Sequence, residues 1–324
     1  MSFRRTFAAA PTHASTSSPP PLLPHAAPRR AGAPAGQAVS AGRRGATNPH
    51  RRALVAALLT APLARRAWAT SAASTAALAP TTPAASPAAS LPILVYHRFA
   101  TTVADSMTLR LSTFDAHLRL LDSLGCQVVA LSDWVAWRRG EGPALPARAV
   151  ALSADDGHRS QAEQMAPRLR ERGWPLTLFV YPSAISNASY AMTWDQLGAL
   201  AALPRLSVQS HTTWHPNLLR ERERQPAAAF RRFADAQLHH SRALLEQRLG
   251  HPVTLLAWPF GLSDPGLQAQ ARDCDYLAAF ALGNRSATAL DPLYAVPRHL
   301  MVDAVDAHAL AARLEQAFAG RGAR

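Results

Sequence analysis

The sequence predicts an α/β protein, an irregular (β/α) barrel, seven-stranded, with mostly parallel strands. Two positive observations and one absence point there. From residue 91 onwards short apolar runs alternate with longer amphipathic stretches, the signature of a parallel sheet covered by helices. Seven or eight such units fit into about 230 residues, which favours a closed or nearly closed barrel over an open doubly wound sheet. No GxGxxG follows the first apolar run, so a dinucleotide-binding fold has little support.

Each element has a local reason. ILVY (93–96) reads as the first strand. Ser112 is expected to cap a helix to about Leu124, with Asp115 in the capping-box position and Gly125 as its stop. QVVAL (127–131) is a second strand, followed by a helix capped by Ser132. RAVALSA (148–154) is a third, and residues 159–172 form a helix that Pro167 bends or interrupts before Gly173. PLTLFVY (175–181) is a fourth strand, residues 193–203 a helix, and RLSVQS (205–210) a fifth strand. One long helix is expected over 221–249, with Pro226 near its start. VTLLAW (253–258) is a sixth strand, and a helix follows from Ser263 to about Arg272. YLAAFAL (276–282) and LYAVPRHL (293–300) are short late strands. The closing segment from Asp303 is helical, with Leu310, Leu314 and Phe318 on one face.

The N-terminal part has a different composition. The formal charge of the whole chain is +13, which suggests an anionic partner. However, ten of the 34 arginines lie in residues 1–90, which contain no acidic residue, leaving 24 arginines against 21 carboxylates in the rest. The excess therefore belongs to the leader, and with no basic stripe interleaved with aromatics we expect no nucleic-acid binding. Residues 1–69 read as an export signal with a disordered leader. Within them Arg51-Arg52 precede an apolar stretch of twelve residues (53–64), and Ala67-Trp68-Ala69 supplies small residues for cleavage after Ala69. The arginine pair resembles a twin-arginine signal. Twelve residues are short for a membrane span, so no transmembrane span is expected in the mature chain. Residues 70–90 read as an Ala/Pro/Ser/Thr-rich linker, and 91–320 as the folded domain. Cys126 and Cys274 read as two buried thiols rather than a disulfide or a metal pattern.

In a barrel, chemistry collects where strands end. His97 follows the first strand, Asp155-Asp156 the third, His211 the fifth with His215 four residues on, Pro259-Phe260-Gly261 the sixth, and Arg298-His299 close the last. Singly, each of these is ordinary: Asp-Asp-Gly is a common turn, and a histidine at a strand end is usually structural. Their coincidence on one rim suggests a metal site. His211 and His215 have a spacing that suits one ion, but HTTWH lacks the glutamate of HExxH. A third ligand from a neighbouring carboxylate completes two histidines and one carboxylate, which leaves a position open for water. The second carboxylate, kept ionised by the cation, then acts as base. A divalent ion thus accounts for two adjacent like charges. We expect zinc, with cobalt or nickel as alternatives.

In this order LVYHRF, SADDG, SHTTWHP and AWPFG resemble the polysaccharide deacetylases of the NodB-homology type, a carbohydrate esterase family, over about residues 91–300. The resemblance implies that Asp155 is the general base and that Asp156, His211 and His215 bind the metal. The early Tyr-His motif resembles the branch that deacetylates poly-N-acetylglucosamine during biofilm polysaccharide export, which implies His97 as general acid and the Phe260 backbone N–H at the oxyanion position. Two departures stand out. SADDG replaces the usual TFDDG, and Ala257-Trp258 stand where many relatives carry the arginine that orients the base. We assign that charge to Arg298, and His299 rivals His97 as acid. Pro259, Trp214, Trp258 and Tyr181 are candidates for the sugar-binding groove. The implied activity is metal-dependent N-deacetylation of an N-acetylhexosamine polymer by a protein of the periplasm or cell envelope, with polysaccharide export machinery as partner. The alternatives are peptidoglycan, chitin oligomers or O-acetyl esters as substrate, or a polysaccharide-binding pseudoenzyme. No GxSxG is present, so a serine nucleophile is not expected.

Overall fold

The computed structural model of the protein describes residues 90–319. The export signal and the linker assigned to residues 1–89 lie outside the described residues. Eight parallel strands form one curled sheet. Its path runs β10 (His299–Leu300), β1 (Ile93–Tyr96), β5 (Ala149–Asp155), β6 (Leu176–Val180), β7 (Leu206–Ser210), β8 (Leu255–Ala257) and β9 (Ala278–Phe280), seven strands in all. Strand β4 (Gln127–Val129) pairs with the start of β5. After β9 the chain loops round and Val296 forms a parallel bridge with Phe280: Val296 N–H donates to Ala279 O, and Ala281 N–H to Val296 O. The chain then enters β10, which pairs with β1, so the curl comes round to its own first edge.

Two layers of core explain the strand sequences. On β5, Ala149 and Ala151 join a cluster with Ile93, Phe179, Leu255, Ala257 and Phe280, whereas Val150, Leu152 and Ala154 join the larger cluster beneath the helices. The rings of Phe179 and Phe280 meet at 5.5 Å although two strands separate β6 from β9, so the first cluster fills the concave side. Because side chains alternate along a strand, the continuation of this inner row past the strand ends determines what reaches the mouth. Asp155 continues the row of Ala149 and Ala151, His97 that of Ile93 and Val95, and His211 that of Ser207 and Gln209.

The helices differ from expectation where proline and tertiary contacts decide. Helix α1 (Leu111–Ser123) starts directly from β3 (Thr108–Arg110), with no side-chain cap; Asp115, expected in a capping box, pairs instead with Arg168 at 2.8 Å. Helix α2 (Leu131–Arg138) begins one residue before Ser132, and Asp133 accepts the Ala130 N–H. Pro167 has no N–H for a regular turn, and the chain before it widens into a π-turn, Gln161–Met165, ahead of α3 (Ala166–Glu171). Helix α4 (Trp194–Ala201) carries the capping box of Thr193 and Gln196. Pro226 splits the expected long helix into α5 (Leu218–Arg224) and α6 (Ala227–Leu249). Helix α7 (Pro265–Asp273) starts two residues later than expected and is capped by Asp264. Helix α8 (Ala307–Ala319) buries Leu310, Leu314 and Phe318 as the pattern predicts. Of LYAVPRHL only two residues form a regular strand, and the short pair β2 (Arg98–Ala100) and β3 was not foreseen. Cys126 and Cys274 are buried free thiols. Among the described residues no helix is long and apolar enough to cross a membrane.

Candidate active site

A cleft of about 320 Å³ opens at the C-terminal ends of the strands; His97, Asp155, Asp156, His211, His215 and Phe260 are among its lining residues. Asp155, the last residue of β5, is buried. Its carboxylate receives two parallel hydrogen bonds from Arg298, Nη1 to Oδ1 at 2.8 Å and Nη2 to Oδ2 at 2.7 Å. Arg298 is itself fully buried, with its guanidinium 5.3 Å from the Phe179 ring centroid and Nε donating to Ala281 O. Burial pushes the Asp155 carboxyl up, but Arg298, His211 and His97 outweigh this and hold it down at about 2. A buried carboxylate is therefore kept ionised by a charge 143 residues away in the chain.

Asp156, His211 and His215 come together on the other side of this carboxylate. One potential ligand atom from each lies within 4.8 Å of the others. Asp156 Oδ1 is 3.7 Å from His211 Nε2 and 3.6 Å from His215 Nε2. These separations are long for hydrogen bonds but close to the roughly 3.4 Å edge of a tetrahedron whose corners sit about 2.1 Å from an ion. The His211 Nδ1–H donates to Ala257 O at 2.8 Å, which turns the Nε2 lone pair towards Asp156. Burial, then the neighbouring His211, lowers the pKa of His215 to about 4, so its ring is neutral and able to ligate. The donor set and its orientation fit a divalent cation.

Local backbone strain presents these groups. Eight non-glycine residues among those described have positive φ, and four of them are Asp156, Thr212, His215 and Phe260. Such conformations cost of order 1–3 kcal/mol each and persist only where the surroundings enforce them. The supports are visible. Ser210 Oγ accepts the Thr212 N–H and contacts Ser241 Oγ on α6 at 2.8 Å, Thr212 Oγ1 accepts the His215 N–H, and Gln237 on α6 accepts from the Thr213 hydroxyl and the Trp214 N–H. His211 and His215 thus converge through a braced loop rather than one turn of helix. At the third motif Gly261 has φ +69, and an added Cβ would lie 2.5 Å from Leu282, so the turn that exposes Phe260 requires glycine.

Other candidates separate by their position on the strands. His97 lines the cleft, its pKa lowered by burial against the pull of Asp155 and Asp156, and its Nδ1 is buried without a protein partner. His299 does not reach this cleft. It pairs in register with Leu94, whose side chain is on the outer, helix-covered face, so His299 faces outward while Arg298 beside it faces in. Trp258, expected as a sugar platform, is fully buried on the outer face with Nε1 donating to Tyr294 O, and Pro259 is buried as well; neither can stack on a ligand. Phe260 is 53 % exposed over His215, and Trp214 is 47 % exposed against Phe233. Tyr181 packs beside His215, its hydroxyl 2.6 Å from that of Tyr190.

One residue was not foreseen. Gln161, fully buried in the π-turn, donates from Nε2 to the backbone carbonyls of both His97, at 2.8 Å, and Asp155. It ties the two strand ends together. The sequence offered only a glutamine on the inner face of a helix pattern.

Residues 142–279 match the family model for polysaccharide deacetylases. Over this span the chain is similar to the polysaccharide deacetylases. Among solved structures the chain is similar to the deacetylase PplD of Streptococcus pyogenes in complex with acetate (20 % identity, TM-score 0.61, covering 70 % of this chain and 98 % of that one). It is similar to IcaB of Ammonifex degensii (22 %, TM-score 0.60, 70 % and 97 %) and to a de-N-acetylase of Aggregatibacter actinomycetemcomitans (19 %, TM-score 0.60, 69 % and 99 %). At these identities the likeness is one of fold. No curated protein sequence matches. The matched span of the deacetylase domain contains Asp155, Asp156, His211, His215 and Phe260, whereas His97 and Arg298 lie outside it.

Proposed function

We propose that the chain hydrolyses N-acetyl groups from an N-acetylglucosamine-containing polysaccharide, an exopolysaccharide of the poly-N-acetylglucosamine type, using one divalent metal ion, zinc first among the candidates. The observation that carries the reading is the pairing of a compact Asp156–His211–His215 donor set with a separate, arginine-held carboxylate in the same cleft. Asp156, His211 and His215 hold the ion, which when bound supplies Lewis-acid activation of water and of the acetamide carbonyl. Asp155 accepts the proton of the attacking water, and Arg298 fixes that carboxylate in one orientation. The Phe260 N–H is assigned to the developing oxyanion. His97, which lines the same cleft, gives a proton to the departing amine. Phe260 and Trp214 offer exposed ring faces to sugar units. The exopolysaccharide assignment rests on the Tyr96-His97 motif, and placement in the periplasm or cell envelope, beside export machinery, on the leader.

Acetate release from a soluble acetylated glucosamine oligomer tests the proposal. Release should stop with chelator and return with added zinc, cobalt or nickel. Turnover that survives complete metal removal would overturn it. A parallel assay on peptidoglycan fragments and O-acetyl esters decides the substrate class.

A further inference from the structure

The two histidines of the donor set are held in different ways. The His211 ring is fixed by its bond to Ala257 O. The His215 ring has no such bond among the described residues, and the Asp156 carboxylate stands off at 3.6 Å. Other rings surround it instead: Phe260 and His211, each with its centroid 4.7 Å away, and Tyr181 at 5.3 Å. Phe260 is exposed and free to give way. Tyr181 is half-buried, and its hydroxyl is 2.6 Å from that of Tyr190, a well-formed hydrogen bond that keeps the ring from swinging off His215.

Tyr181 opens the segment 181–193 between β6 and α4, and Tyr190 lies near its end. This segment touches both loops that carry the donor set. On one side the Ser183 N–H donates to Thr213 O, between His211 and His215. On the other the Met192 N–H donates to Gly157 O, and Tyr190 O accepts the Arg159 N–H, beside Asp156. The His158 ring stacks on that of Tyr190, with centroids 6.1 Å apart and 10° between planes. Gly157, at φ +70, lies so close to the segment that an added Cβ would be 3.0 Å from Ile185 Cδ1. We infer that Tyr181 is a positioning residue for the candidate ligand His215, and that its bond to Tyr190 clasps the two ligand loops at the separation an ion requires. The bond joins the two ends of the segment, so it governs both the His215 ring and the spacing of its loop from that of Asp156. Groups behind a ligand that fix its orientation reduce what must be ordered when the ion binds. The inference rests on the metal-ion reading proposed above.

The test is metal affinity rather than turnover. The full chain, stripped with chelator, is titrated with zinc against a chromophoric competitor, and with cobalt while its visible ligand-field bands are recorded. Wild type should take up one ion, and Asp156→Asn none. Tyr181→Leu should weaken binding about tenfold and move the cobalt bands, since His215 then sits differently on the ion. Tyr181→Phe and Tyr190→Phe keep both rings and the fold. Each should weaken binding about threefold, the loss of one hydrogen bond, and the double variant should lose no more than the weaker single one. Should Tyr181→Leu fail to fold, this pair decides. Unchanged affinity and cobalt bands in the Tyr181 variants, or losses that add in the double variant, overturn the inference while leaving the metal reading intact. A wild-type chain that takes up no ion, or takes it up equally well as Asp156→Asn, overturns both.

Discussion

The span between β5 and β8 and the pair of strands beside it, β1 and β10, contribute differently to the same cleft. The first supplies Asp156, His211 and His215 from strained loops, that of the histidines braced by α6, and lies within the part that matches the family model. The second supplies His97 and Arg298 from the ends of two neighbouring strands. The donor set depends on loop conformation, and the position of the arginine on which strand lies beside which. Substitutions should therefore fail in two distinguishable ways, by loss of metal in the first region and by loss of a counter-charge or a proton donor in the second.

The largest effect is expected from the first region. Asp156→Asn should abolish bound metal and reduce acetate release to background, measured by elemental analysis beside the assay. Asp155→Asn should keep the metal and lose about 10³-fold in kcat. Arg298→Met should break the comparison from the other side. It strands a buried carboxylate, a change of about 3–5 kcal/mol in unfolding free energy by denaturant titration, whereas the metal ligands stay in place. His97→Ala should lower kcat about 10²-fold with metal retained, and His299→Ala should leave kcat alone. Gln161→Leu should cost about 1–3 kcal/mol of stability and lower kcat more than it raises KM, because two strand-end carbonyls lose their shared donor.

The smallest effect concerns the joint after β10. Asp303 accepts from the Arg110 side chain and backbone and from Thr113, which together hold its pKa below the ordinary carboxylate range. A lowered folded-state pKa gives a stabilisation that is present above about pH 4 and lost as pH falls through the lowered value. Asp303→Asn should flatten that part of an acid-unfolding curve while leaving the metal content untouched.

Much of this was legible in the residues. The alternation of apolar runs gave all eight of the sheet's strands, the last only in its final two residues, since parallel strands buried on both faces are written as short uninterrupted hydrophobic stretches. The adjacent Asp155-Asp156 and the spacing of His211 and His215 marked the candidate donor set, because those ligands are close in sequence. What failed is what depends on facing. Arg298 and His299 are neighbours in the chain, and only the pairing of His299 with Leu94 shows which one looks inward. Trp258 looked available because it follows a strand, yet its place in the alternation sends it under the helices. Gln161 carried no signal, because a π-turn shifts which residues of a helix pattern face the core.

The buried partnership of Asp155 with Arg298 also fixes an order of events during synthesis. A growing chain that has reached β9 already contains all the candidate metal ligands, but the acidic group beside them has no cation to neutralise it. The inner layer can close in its final form only once the ribosome has passed residue 298. Forms ending before that residue, whether from a stop codon or a protease, should therefore remain loosely folded and degradable despite retaining nine-tenths of the polypeptide.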